Sequence, residues 1–226
     1  VIVNKDGHFA FENNPDQPVR FYGVNFCFSA QYLSKEEVDK LCDRLVRLGY
    51  NTVRIHHYEG ALMGNKPGFE WNLEALDQLD YLMAACKKRG LYVTTDLFVS
   101  RPISSEQVQY DGRVTMNHYK VLIPVHEPAF EDFKKFSRYL LEHVNPYTGV
   151  RWADEPTLAW ISMVNEGNFG NYWNEVRSIP QWTAAWNRWL AAKYADRAAL
   201  VAAWGEELKE DEDPASGSVS LPGHHS

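Results

Sequence analysis

The chain has 226 residues, 45% of them hydrophobic and 23% charged, with 30 acidic against 23 basic side chains and a net charge of −7. That is enough for one domain with its own core. The acidic balance, with no Lys/Arg cluster, excludes the electrostatic footprint that nucleic acid or an anionic membrane surface requires. No apolar run approaches the about 18 residues of a membrane span. A neutral oligo- or polysaccharide suits this surface better.

Taken in order, Val1-Ile2-Val3 and His8-Phe9-Ala10-Phe11 flank an Asp6-Gly7 turn, a hairpin signal, so residues 1–18 read as a β-hairpin cap on the floor of the domain. Asn13-Asn14-Pro15-Asp16 reads as a turn. A strand from Val19 to Val24 follows and delivers Asn25 to its C-terminal end. Ser34-Lys35-Glu36-Glu37 is a capping box, after which Val38, Leu41, Cys42, Leu45, Val46 and Leu48 recur at helical spacing until Gly49.

Asn51 to Glu59 is an apolar strand ending in charged and aromatic groups. Arg54 inside it is costly to bury alone and demands an anionic partner. His56 shares the inward direction of Arg54, whereas His57 points the other way unless the strand end is distorted. The pair therefore cannot chelate one ion, and no metal or other cofactor is expected.

A loop containing Gly60, Gly64, Pro67 and Gly68 leads to a helix from about Leu73 to Arg89, closed by Gly90. The strand Leu91–Leu97 carries Asp96 near its C-terminal end, placed to hydrogen-bond other site residues. Residues 100–126 form a long connection without a clear period, suited to shaping a cleft or to acting as a partly mobile lid. Phe130, Phe133, Phe136, Tyr139, Leu140 and Val144 then form a helical stripe that ends at Asn145-Pro146.

The stretch Thr157 to Asn168 moves abruptly from apolar residues to Asn165, Glu166 and Gly167. It reads as a buried parallel strand ending in chemistry, because the C-terminal ends of such strands face the ligand site. A carboxylate there is a candidate general acid, although an Asn-Glu pair after a strand also occurs as a simple polar turn. Trp182, Trp186 and Trp189 recur at helical spacing and read as core. Trp71, Trp152 and Trp173 fall in expected loops, where aromatic rings can stack on pyranose faces. Beyond Trp204 the chain turns acidic, then rich in Ser, Gly and Pro, so residues 205–226 read as a solvated linker.

Cys27, Cys42 and Cys86 form an odd set with no C-x-x-C spacing, so buried free thiols are expected, with Cys27 the one near the site mouth. The compartment stays open, a secreted or periplasmic one being favoured. The chain begins at Val1 without an initiator Met or leader, which reads as a processed or trimmed start.

Five pieces in order, Phe21-Tyr22-Gly23-Val24-Asn25, Asn51-Thr52-Val53-Arg54-Ile55, Leu91 to Asp96, Asn145-Pro146-Tyr147-Thr148-Gly149 and Asn165-Glu166, resemble the retaining glycoside hydrolases of clan A. Family 5, the cellulase and mannanase family, is the nearest in pattern. The resemblance runs from Val1 to about Trp204 and implies an α/β fold of the TIM (β/α)8-barrel type. It implies Glu166 as acid/base, Asn165 as the ligand of the sugar hydroxyl next to the reacting carbon, and Arg54 as a support for the nucleophile. His56, His57, Asn25, Asp96, Trp71 and Trp173 become the candidate substrate-binding residues, His56 the better sugar ligand of the two histidines. Family members often carry a His where this chain has Phe98.

A complete barrel needs about 250 residues, and from Val19 to Glu166 each βα unit takes roughly 37, so residues 19–204 hold about four of eight units. The nucleophilic Glu of the family sits on a late strand absent from this sequence. The expected partner is therefore the missing C-terminal half of the barrel or a second copy of this chain. The alternative is a catalytically inactive carbohydrate-binding or assembly half-barrel.

Overall fold

A computed structural model describes residues 1–223. Three antiparallel strands, β1 (Ile2–Val3), β2 (Phe9–Phe11) and β3 (Asn14–Pro18), form the N-terminal sheet, with Gly7 at φ +79° in the first turn. The segment read as a turn at Asn14-Pro15-Asp16 is thus an edge strand. It is exposed throughout, and an edge tolerates the donors that Pro15 and Pro18 lack. This sheet leans on the next one through aromatic rings: Phe9 stacks on Trp160 at 5.3 Å, and Phe21 meets Trp160 edge-on at 4.8 Å.

The central sheet is parallel and has the order β4-β5-β6-β9, with β4 (Gly23–Cys27), β5 (Thr52–His56), β6 (Tyr92–Asp96) and β9 (Leu158–Ser162). A short antiparallel pair, β7 (Val144–Asn145) and β8 (Val150–Arg151), precedes β9. The first barrel strand begins at Gly23, later than the Val19 expected. The residues before it are held by Asn51, whose side chain accepts from Tyr22 N at 2.7 Å and donates to Arg20 O at 2.8 Å. Gly23 lets the two strands approach closely, since a Cβ there would lie 3.1 Å from Thr52 O.

Helices connect the strands on one side. They are α1 (Lys35–Arg47), the short α2 (Glu59–Leu62), α3 (Leu73–Lys88), α4 (Met116–Leu122) and α5 (Glu127–Glu142) before β9, then α6 (Trp173–Ser178), α7 (Pro180–Lys193) and α8 (Arg197–Trp204). The capping box of α1 forms as read: Ser34 Oγ accepts from Glu37 N, and the Glu37 carboxylate accepts from Ser34 N at 3.0 Å. Gly49, at φ +84°, ends the helix in the left-handed conformation.

Alternation sorts the sheet into two faces. Phe26, Val53, Ile55 and Val93 point to the helices and are buried with Cys42, Leu79, Leu82, Met83 and Phe136 in one core. By register, Asn25, Arg54, Thr94 and Trp160 make one row on the other face, and Cys27, His56, Asp96 and Ser162 the next. An extra residue in β9, Ala159, lies between the Leu158 and Trp160 pairings and keeps Trp160 on the inner face. This inner face is largely polar, carrying Asn25, Arg54, Thr94, His56, Asp96 and Ser162. No helix among the described residues is long and apolar enough to cross a membrane.

The long connection after β6 contains α4, which short length and a mixed pattern hid. It is pinned down by Arg101, buried and paired with Asp132 of α5, while the Tyr119 hydroxyl donates to the same carboxylate at 2.6 Å. The C-terminal segment, read as a solvated linker, packs on α7 and α8 instead. Leu208 and Val219 join Leu190 and Leu200 in a second small core, and Asn187 brackets Val219 with two backbone hydrogen bonds of 2.8 and 3.0 Å. Two isolated apolar anchors suffice there, and average composition conceals them; residues 224–226 of that segment lie outside the described residues. Trp182 packs on the main core as expected, whereas Trp189 is 48% exposed and stacks on Trp186.

Candidate active site

The C-terminal ends of β5, β6 and β9 bring Arg54, Asp96 and Asn165 together. Asp96 is fully buried, and Arg54 meets it with Nη2 at 2.9 Å from both carboxylate oxygens and Nε at 3.2 Å. This is the anionic partner that an arginine within a strand demanded, held in a planar fork that lysine cannot reproduce. Arg54 Nη2 also donates to Asn165 Oδ1 at 3.0 Å. Fixing that oxygen leaves the Nδ2 amide of Asn165 as the donor for a ligand.

His56 lies beside them, with Nδ1 3.0 Å from Asp96 Oδ2. Its ring therefore points inward with Arg54, as alternation requires. His57 departs from alternation because its φ is +51°. That turn stacks its ring on Phe28 at 4.7 Å, sets it edge-on to His56 at 4.3 Å, and brings Nδ1 to 2.8 Å from Ser100 Oγ. Burial, followed by the charges of His56, Lys120 and Arg54, pushes the His57 imidazole below its ordinary value. Neutral His57 is then a hydrogen-bonding group and not a fixed cation.

Ser100 is held in turn by Glu59, a fully buried residue at the start of α2. Its carboxylate accepts from Val99 N at 2.8 Å and Ser100 N at 3.0 Å. Burial pushes the Glu59 carboxyl up to about 7, against the lowering pull of those same backbone bonds. The Tyr58 hydroxyl, next in the chain, donates to Asp96 O at 2.8 Å and ties β5 to β6.

Glu166 sits in the turn after β9 with φ +52°, a strained value for a side-chain-bearing residue. Its side chain is 64% exposed, with the Lys120 ammonium 3.9 Å away and the Tyr172 hydroxyl at 3.5 Å. Asn165 is anchored by its own N–H to Phe98 O at 2.8 Å, and the Phe98 ring is buried against Tyr119 rather than lining the site.

Asn25 faces the same side of the sheet as Arg54, in register with it, and is exposed. Trp71 and Trp173 do not join the site as open platforms. Trp71 packs on Phe136 and Tyr139 in a groove of about 1210 Å³ between α3 and α5, on the helix side of the sheet. Trp173 opens α6 and is packed on the main core, and Trp152 is buried with Nε1 donating to Asp80. Loop position alone does not expose a ring: each of these tryptophans lies beside a helix whose apolar stripe claims it.

Sequence reasoning missed Glu59, Ser100, Lys120, Tyr172 and Phe28. One signal was available, since Lys120 is the single charge inside the apolar run Tyr119-Lys120-Val121-Leu122-Ile123. The others depend on loop conformations that no residue pattern announces.

The family model described as Cellulase (glycosyl hydrolase family 5) matches residues 13–204. Among solved structures, an endo-β-1,4-mannanase from Thermotoga petrophila is similar at TM-score 0.51 and 21% identity, over 76% of this chain and 40% of its own. A glycoside hydrolase family 5 mannosidase from Rhizomucor miehei is similar at TM-score 0.53 and 14% identity, over 73% and 48%. An exo-β-1,4-mannosidase from an Opitutaceae bacterium, strain TAV5, is similar at TM-score 0.54 and 20% identity, over 83% and 31%. No protein of curated function matches the chain. At these identities the likeness establishes the fold: four parallel strands with their helices are part of a TIM barrel, and the chain spans half or less of each of these structures. With the family model matching most of its length, the chain belongs to the cellulase family, glycosyl hydrolase family 5.

Proposed function

We propose that this chain supplies the acid/base half of a retaining glycoside hydrolase acting on β-linked polysaccharide of the mannan or glucan type. The observation that carries the reading is the single network joining Arg54, Asp96, His56 and Asn165 at three strand ends, with Glu166 next in the chain. Glycosidic cleavage needs a carboxyl group that protonates the leaving oxygen and a carboxylate about 5–5.5 Å away that attacks the anomeric carbon. Glu166 takes the first role. The second carboxylate comes from strands outside this chain, and the Nη1 group of Arg54, which takes no part in the bonds to Asp96 and Asn165, is free to meet it. Asn165 Nδ2 donates to the sugar hydroxyl beside the reacting carbon, with His56 and Asn25 as further sugar contacts. The mannan-active relatives in structure favour β-mannan among the candidate substrates.

The test is Glu166→Ala in the enzyme with a complete barrel. Cleavage of unactivated β-mannan or β-glucan is expected to fall by about 10²–10⁴-fold. Aryl glycosides with good leaving groups need little protonation and lose far less in their first step. Equal losses on both, with folding intact, would exclude the acid/base role.

The open sheet supports a second part of the reading. β4 and β9 are edges, and in the row of Asn25, Arg54, Thr94 and Trp160 the N-terminal rings Phe9 and Phe21 cover Trp160 while Asn25 stays exposed. The isolated chain is expected to lack glycosidase activity and to associate, with the missing half-barrel or with a second copy. Light scattering together with an assay on β-mannan checks both; a monodisperse active monomer contradicts both.

A further inference from the structure

We infer that Lys120 is a positioning residue for Glu166, holding its carboxylate through a contact shared with the Tyr172 hydroxyl. The inference rests on the acid/base reading of Glu166.

Lys120 lies on α4, inside the long connection, and is only 4% exposed. Its neighbours Tyr119, Val121 and Leu122 are buried apolar residues, so a leucine or methionine would serve the packing of this helix as well. An ammonium in such a place carries a desolvation cost that a structural lysine offsets by pairing with a buried carboxylate. The nearby buried carboxylates have other partners: Asp132 pairs with Arg101, and Asp96 with Arg54 and His56. Among the described residues, the carboxylate that Lys120 reaches is Glu166, at 3.9 Å, and its hydrogen bond goes to the Tyr172 hydroxyl at 3.1 Å. That hydroxyl stands 3.5 Å from the same Glu166 oxygen. With the Glu166 side chain 64% exposed, solvent screening makes the pair a weak source of stability. Its ammonium also lies over the Tyr172 ring, 5.2 Å from the centroid, so Tyr172 holds the lysine in place, and the carboxylate it faces is the proposed acid/base.

The chemistry gives such a cation a task. After the first step the sugar is bound through its anomeric carbon to the second carboxylate. In the second step Glu166, now ionised, takes a proton from water. The water oxygen bonds to the anomeric carbon, and the carbon–oxygen bond to the second carboxylate breaks with its electron pair leaving to that carboxylate. This step needs Glu166 deprotonated and aimed. An ammonium beside one oxygen restricts the rotamer of Glu166, while the Tyr172 hydroxyl closes the triangle. The other charged or titratable groups around this corner are His57, which feels the Lys120 charge, and Arg54, linked through Asn165.

The test compares Lys120→Met, Lys120→Arg and Tyr172→Phe. In the complete enzyme, Lys120→Met is expected to lower kcat about tenfold or more on activated aryl glycosides, where the second step limits, with KM changed less. Lys120→Arg should restore most of the activity, and Tyr172→Phe should show a smaller loss of the same kind. Melting of the 226-residue chain supplies an independent arm: Lys120→Met should leave its Tm unchanged or raise it. A Tm lowered by several degrees, or wild-type kcat and KM in Lys120→Met, overturns the inference. Glu166→Ala measured alongside separates the two failures, since a fully active Glu166→Ala sinks the acid/base reading whatever Lys120 does.

Discussion

The two faces of the β4-β5-β6-β9 sheet are built from the same strands, one residue out of step, and obey opposite rules. On the helix side Val53, Ile55 and Val93 are completely buried among apolar neighbours. On the other side the side chain of Arg54 is 35% exposed and bound to a carboxylate and an amide. A single step along β5, from Arg54 to Ile55, crosses from one rule to the other. The difference teaches that stability and the proposed chemistry are separable in this chain: the helix face carries the apolar core, and the inner face carries the polar network of Arg54, Asp96, His56 and Asn165.

The sharpest way to test the separation is to cut the helix face. Ile55→Ala removes a fully buried side chain from the centre of the core and should cost about 3 kcal/mol of unfolding free energy, read as a lower midpoint in urea. A loss below about 1 kcal/mol would mean that the helix layer can collapse into the gap, and the contrast between faces would weaken.

Glu59 sits where the faces meet and gives a pH signature. Its carboxyl, ordinarily near 4.5, is pushed to about 7 by burial, so between those values the folded chain binds a proton that the unfolded chain has released. Stability conferred by the protonated form is present at low pH and declines as pH rises from about 4.5 to 7, by at most about 3 kcal/mol. Denaturation at several pH values should show the decline, and Glu59→Gln should flatten it. A wild-type curve that rises over this window would refute the burial argument.

On the inner face, Arg54→Lys should cost about 1–2 kcal/mol, because lysine retains the charge but leaves the fully buried Asp96 carboxylate with fewer donors. Activity of the complete enzyme should nevertheless fall about tenfold or more, because the ammonium cannot hold Asp96 with two donors and Asn165 with a shared one. A Lys variant with normal turnover would show Arg54 to be structural.

These expectations also mark what could be read before the structure. Strand ends were legible because an apolar run that stops at Arg54, Asp96 or Asn165-Glu166 has a periodicity and a direction, and because an arginine in a strand demands its anion. Helix α1 was legible from Ser34, Glu37 and Gly49, whose roles are local. The positions of Trp71 and Trp173 were not, since a ring in a loop can turn to solvent or to a helix, and only the three-dimensional neighbours decide. Nor was the environment of Glu166: the strand behind it is apolar, but Lys120 arrives from a helix 46 positions away in the chain, by subtraction of the two residue numbers. His57 was half legible, because alternation gave its direction for a regular strand and the left-handed φ that overrides it has no sequence signal in a histidine.

The smallest effect is the most discriminating one. Asn25 lies in the inner row beside Arg54, exposed, on an edge strand. If the inner face contributes little to the fold of this chain, Asn25→Ala should alter unfolding free energy by less than about 0.5 kcal/mol, as surface substitutions do. The same substitution removes a donor and an acceptor from the row proposed to meet sugar, and a lost hydrogen bond to a bound ligand costs about 0.5–1.5 kcal/mol, a few-fold to tenfold in affinity. Titration of the complete enzyme with manno-oligosaccharide should therefore show weaker binding while the melting curve is unmoved. If instead Asn25→Ala lowers stability as much as Ile55→Ala does, the inner row is core, and the division between the two faces of the sheet fails.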